Sequence, residues 1–206
     1  MNSNKKTAII VGALILIAYG VLSVFFLGSF LIIVMLLELI SGAAVVGTAV
    51  LMFPILKPHN KNLTLGYVVC KIIEGVIIIV GGIILLSLII KAGASDSSST
   101  LLLEARHWLG GMISAYIFSI AAYMFYYLLY QSKLIPRFIS VWGLIAVTLL
   151  LAVNLLGMMG RSPASTIFFA LPIILNELFL AIWLIVKGFD DDAIVSEAVK
   201  TDMNDN

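Results

Sequence analysis

Charge is what this sequence has least of. Only 11% of its 206 residues are Asp, Glu, Lys or Arg, where soluble domains carry about 25%. With 62% hydrophobic residues, the chain has too little polar surface to cover a soluble fold. Neither sign of charge dominates. Twelve basic against 11 acidic residues give +1, which offers no electrostatic footprint for nucleic acid. The single cysteine, Cys70, excludes an intrachain disulfide and leaves the redox compartment unread. Also missing are a Gly-x-Ser-x-Gly elbow, a phosphate loop and a His-Glu-x-x-His pair, so the usual hydrolase and nucleotide signatures are absent. Nothing in the sequence calls for a cofactor.

What the chain does have is long apolar runs with its charges clustered between them, the hydropathy pattern of several membrane helices. A span needs roughly 20 apolar residues. The runs at 7–27, 30–53, 64–90, 101–130, 138–159 and 165–187 predict an all-α fold, a six-helix transmembrane bundle over residues 1–187. An acidic cytoplasmic tail over 188–206 follows, opening with Asp190-Asp191-Asp192. The first run begins after Lys5 and Lys6, as a signal peptide would. It exceeds the usual apolar core of roughly 7–15 residues and no small-x-small site follows, so a retained span is expected. Gly28-Ser29 is the only break before the second run. Pro54 and Pro58 are expected to end the second helix in a polar loop.

Six spans place both termini on one side. The loops on that side and the two flanks hold Lys5, Lys6, Lys57, Lys61, Lys133, Arg137 and Lys187, while the opposite loops hold only Lys91 and Arg161. The positive-inside rule therefore predicts cytoplasmic termini. Tyr126, Tyr127, Tyr130 and Trp142 flank the basic loop as an interfacial belt would. Small residues at i, i+4 spacing, Ala43 and Gly47, suggest a close helix approach on the second helix.

Glu177, with Asn176 beside it, falls near the middle of the last run. An ionisable group at that depth costs at least ~2.5 kcal/mol unless the protein compensates it. Counting 1.5 Å per residue, Glu74 also falls near the midplane, with Lys71 one turn away on the same face. Glu38, His107 and Asn154 fall roughly 10 Å from the outer boundary, with Arg106 slightly further out. Two readings fit these residues. In one, Lys71 and Glu74 neutralise each other and the polar groups fix helix register. In the other, Glu38, Arg106, His107 and Asn154 line an outward-opening polar cavity with Glu74 and Glu177 at its floor. Two acids and one base near the midplane leave an excess negative charge, resolved most simply by a proton on one carboxyl. Glu104 and His107 share the Glu-x-x-His spacing of a metal-ligand pair, but no second pair completes a di-metal site, and no metal is expected. Helices 1–3 and 4–6 would enter from opposite sides, each ending on a helix with a mid-depth glutamate, a plan known from transporters.

Several stretches resemble an uncharacterised bacterial membrane family, domain of unknown function 4386. They are Lys71-Ile-Ile-Glu-Gly75, Met124-Phe-Tyr-Tyr-Leu-Leu-Tyr-Gln-Ser-Lys-Leu-Ile-Pro-Arg137, Ser140-Val-Trp-Gly-Leu-Ile145, and Asn176-Glu177 with Ala181-Ile-Trp-Leu-Ile-Val-Lys-Gly-Phe189. The resemblance spans nearly the whole chain and implies a multi-pass topology, with no activity attached. The chain departs from the family in a nearly absent segment between helices 1 and 2, and in Lys71 where the family often has Arg. That substitution gives up a planar, bidentate fork.

The expected function is small-solute or proton-coupled transport or binding at Glu38, Lys71, Glu74, Arg106, His107, Asn154, Asn176 and Glu177. The alternative is a non-catalytic structural, sensing or partner-binding module, with an intramembrane enzyme third. The expected partners are the bilayer and a small solute or proton. Oligomeric state is not readable from the sequence.

Overall fold

The computed structural model describes residues 3–19, 31–90, 97–159, 166–190 and 193. Those residues are helical almost throughout, with no strand among them. The elements are α1 (Ser3–Ala18), α2 (Leu31–Leu56), α3 (Lys61–Ile90), α4 (Ser97–Arg106), a π-helical segment (His107–Ile113), α5 (Ser114–Ser132), α6 (Arg137–Met158) and α7 (Thr166–Val186). The chain runs from α4 through the π segment into α5 as one 33-residue stretch from Thr100 to Ser132. Five helices are long and apolar enough to cross a membrane: α2, α3, this composite, α6 and α7. Gly28-Ser29, Lys91, Arg161 and most of the tail lie outside the described residues.

Several helix ends differ from those hydropathy predicts. Pro54 does not stop α2, which continues to Leu56. A proline removes only one backbone donor and clashes one turn back, so near a helix end its cost is small. The stop comes at Pro58, where Lys57 and His59 turn back onto Phe53 and Leu56. Asn60 then starts α3, its side-chain oxygen accepting from the Leu63 N–H at 3.1 Å, as an N-cap does. The bundle also reaches past residue 187. Gly188 takes φ +83, a conformation that favours glycine, and turns Phe189 into the core at 7% exposure. The Asp190 N–H then donates to the Leu134 carbonyl at 3.0 Å.

The helices close into a ring. α1 packs on α2 and α7, α2 on α3, α3 on α5, α5 on α6, and α6 on α7. Two seams depend on glycine. A Cβ on Gly12 of α1 would lie 2.6 Å from the Ala181 carbonyl oxygen of α7. A Cβ on Gly75 of α3 would lie 2.8 Å from the Gly42 oxygen of α2. Close backbone approach at small residues is the usual route to helix association in lipid. The small face of α2 is one position away from the one the i, i+4 pattern suggests, since Gly42 is buried and Ala43 is exposed.

Charge is turned inward and apolar surface outward. Ile32, Ile83, Ile145 and Ile182 are all more than half exposed, while Glu38, Glu74 and Asn176 are buried. This is the inverse of a soluble fold and suits a multi-pass membrane protein. Along the ring the interior has three tiers. At the end holding Leu56, Leu134 and Phe189 it is a dense apolar core reaching across α1, α2, α3, α5, α6 and α7. Past that core lies a cavity. At the far end Val34, Met35 and Leu85 form a small second cluster.

Candidate functional site

The cavity has a volume of about 300 Å³. Tyr19, Lys71, Glu74 and Glu177 are among its polar walls, and Phe118 and Phe125 among its apolar ones. The charged groups arrive on two helices of the ring. α3 presents Lys71 and Glu74 one turn apart, and the i, i+3 spacing holds Lys71 Nζ 3.0 Å from Glu74 Oε2. The same ammonium sits 4.8 Å from the centroid of the Phe118 ring on α5, within cation–π range. α7 presents Glu177, whose Oε2 accepts a hydrogen bond from the Tyr19 hydroxyl at 2.7 Å. Among the described residues Glu177 forms no ion pair. Tyr67 of α3 stacks on Phe125 at 5.1 Å and completes an aromatic side.

The π segment shapes the opposite wall. Its extra residue per turn changes which face of the composite helix points inward. Gly110, within it, and Ser114, just after it, both line the cavity, and a Cβ on Gly110 would meet nothing within 4 Å.

Of the eight residues expected at the site, Lys71, Glu74 and Glu177 line the cavity. The two mid-depth glutamates, on α3 and α7, thus face one space. Glu38, Arg106, His107, Asn154 and Asn176 lie elsewhere. Glu38 and Arg106 satisfy each other. One guanidinium nitrogen donates to Glu38 Oε2 at 2.9 Å and to the Gly81 carbonyl at 2.6 Å, and the other donates to Glu38 Oε1. That bidentate clamp ties α4 to both α2 and α3. His107 is exposed, with its ring edge-on to Trp108 at 6.4 Å. Asn154 contributes its backbone carbonyl to the Tyr116 hydroxyl at 2.9 Å. Asn176, fully buried, points away from the cavity and donates to the Ile139 carbonyl of α6 at 3.0 Å. Glu104 is exposed, and among the described residues no three His, Cys, Asp or Glu side chains come together as a metal site would require.

Tyr19, Tyr67, Phe118 and Phe125 are the lining residues that hydropathy cannot single out. An aromatic in a membrane run has no visible partner in one dimension. Tyr126 shows the reverse case. It sits within the expected interfacial belt yet is fully buried, its ring against Gly143 of α6.

No curated protein and no solved structure matches the chain. A family described as a domain of unknown function does match, over residues 28–188. That segment runs from before α2 to the end of α7 and holds both glutamates, the clamp and the π segment. By that match the chain belongs to the DUF4386 family.

Proposed function

We propose that this is a six-span membrane protein that binds a small solute or a proton in the central cavity, with Glu177 as the exchanging group. The observation that carries the reading is the state of Glu177. Its carboxylate is on the cavity wall, held by one phenol; among the described residues no cation lies within ion-pair distance of it, while Lys71, the ammonium lining the cavity, is paired with Glu74 and acts on Glu177 only at longer range. Two acids and one base leave the cavity one positive charge short, and burial of an uncompensated charge is disfavoured by several kcal/mol. A proton meets that need, and so does a small organic cation, for which the aromatic walls are suited. The basic ends of α1, α3, α6 and α7 face the cytoplasm in this reading, in a bacterial inner membrane.

Infrared difference spectroscopy on the reconstituted protein tests it. A pH jump should reveal the C=O band of a protonated carboxylic acid. That band should be missing in Glu177→Gln and should be bleached in the parent by tetraethylammonium. A band that survives Glu177→Gln overturns the reading. The second reading, a structural or partner-binding module, is favoured by the Glu38–Arg106 clamp and the Asn176–Ile139 contact, both of which fasten helices without touching the cavity. Under it, neither Glu177→Gln nor tetraethylammonium changes the spectrum.

A further inference from the structure

At the opposite end of the bundle from the clamp, two chain segments are built into one platform. The turn after α5 begins at Lys133, which takes φ 55. The segment after α7 turns at Gly188. The Asp190 N–H to Leu134 carbonyl bond at 3.0 Å joins them, and Leu134, Ile135 and Phe189 anchor both in the core. A pocket of about 440 Å³ opens between them. Lys133, Arg137 and Lys187 line it, all exposed, with Asp190 as the acidic member. Among the described residues, three bases against one acid leave two excess positive charges. The start of α6 and the end of α7 both open here, and their dipoles oppose each other, so the side chains decide the sign. Arg137 is also placed, its guanidinium carbon 5.2 Å from the centroid of the Tyr130 ring.

An aromatic strip on α6 and α7 starts where the pocket ends. Trp183 lines the pocket and lies edge-on to Phe138 at 6.5 Å. Phe179 continues the strip, 5.9 Å from Phe138 and 6.0 Å from Trp142. Phe138 is 54% exposed and Phe179 38%. Basic pocket and aromatic strip therefore form one continuous surface, charged at the membrane boundary and apolar toward the membrane interior. Only one class of molecule matches both parts. Free phosphate would use the pocket alone, and a zwitterionic lipid would bring its own ammonium against three bases.

We propose that this surface is a binding site for one anionic phospholipid, its phosphodiester held by Lys133, Arg137 and Lys187 and an acyl chain lying along Phe138 and Phe179. Basic pockets between membrane helices are suited to such head groups. The site does not depend on the function of the central cavity.

Native mass spectrometry of the detergent-purified protein, titrated with phosphatidylglycerol and with phosphatidylcholine of the same chains, tests it. Phosphatidylglycerol should bind more tightly. Each base near the surface contributes about five-fold, so R137Q with K187Q should lower its affinity about 25-fold and bring it to the level of phosphatidylcholine. F138A should weaken both lipids and leave the preference between them intact. Equal affinity for the two lipids in the parent overturns the proposal. So does competition by inorganic phosphate as strong as that by phosphatidylglycerol, which would mark a plain anion site.

Discussion

Tyr126 and Gly143 fit so closely that neither tolerates a change of shape. A Cβ on Gly143 would stand 2.4 Å from the Tyr126 ring, and that ring is itself boxed in at 0% exposure. Gly143→Ala should therefore destabilise the bundle by about 1–3 kcal/mol, the usual cost of overpacking, read as a lower thermal midpoint in detergent. The Tyr126 hydroxyl behaves differently. It is buried without a hydrogen-bond partner among the described residues, and a buried donor left unsatisfied costs free energy rather than supplying it. Tyr126→Phe should leave the midpoint unchanged or raise it. A clear drop would mean that the hydroxyl is bonded after all. Glu177 is the contrasting residue, since its acceptor is used by Tyr19 at 2.7 Å. Glu177→Gln keeps an acceptor there and should fold nearly as the parent. Glu177→Leu orphans the Tyr19 hydroxyl and should cost about 1–3 kcal/mol, measured in the same melts.

Helix by helix, the clamp at Arg106 has the widest reach, touching α2 through Glu38 and α3 through Gly81. It sits directly before the π segment. Glu38 is 7% exposed and Arg106 22% at the side chain, and breaking a buried pair from one side costs more than removing both partners. Glu38→Leu alone should lower stability by about 3 kcal/mol, and the double change Glu38→Leu with Arg106→Met should recover most of that. A double variant as unstable as the single one would show that Arg106 acts through Gly81 instead. This is also the scale at which the sequence is most and least readable. Six apolar runs announce six helices because hydropathy is a property of composition along the chain. The π segment is invisible, since one extra residue in a turn changes no composition. Pro54 misleads because the strength of a proline stop depends on how many backbone bonds follow it. Glu38 and Arg106 invite the reading of a cavity wall since depth is readable from residue counts, whereas facing is not. Glu74 and Glu177 are recognisable by depth alone, but their convergence on one cavity follows from ring order.

Ring order is a property of the whole molecule, and it also brings the basic residues of separate turns together. Neighbours in sequence are neighbours in space, and α1 closes the ring against α7. A Cβ on Gly188, at the end of α7, would lie 4.0 Å from both Ala8 and Lys5 near the start of α1. The first and last helices are therefore antiparallel, with the start of α1 beside the end of α7. The same end gathers Lys133 and Arg137 through the Asp190–Leu134 bond, and the turn carrying Lys57 and Lys61 reaches it by the up-and-down path of α1 and α2. Among the described residues, positive charge is thus gathered mostly on one rim of the ring by packing, with Arg106 toward the other end. Under the orientation proposed above, that rim faces the cytoplasm. A reporter active only in the cytoplasm should work when fused after Asn206 and fail when inserted after Ala94, between α3 and α4. Neutralising Lys57, Lys61, Lys133 and Arg137 together should erode that difference, because those residues supply the bias. A reporter active at Ala94 and silent at the C-terminus would reverse the orientation. It would put the basic pocket on the outer face and leave the ring itself unchanged.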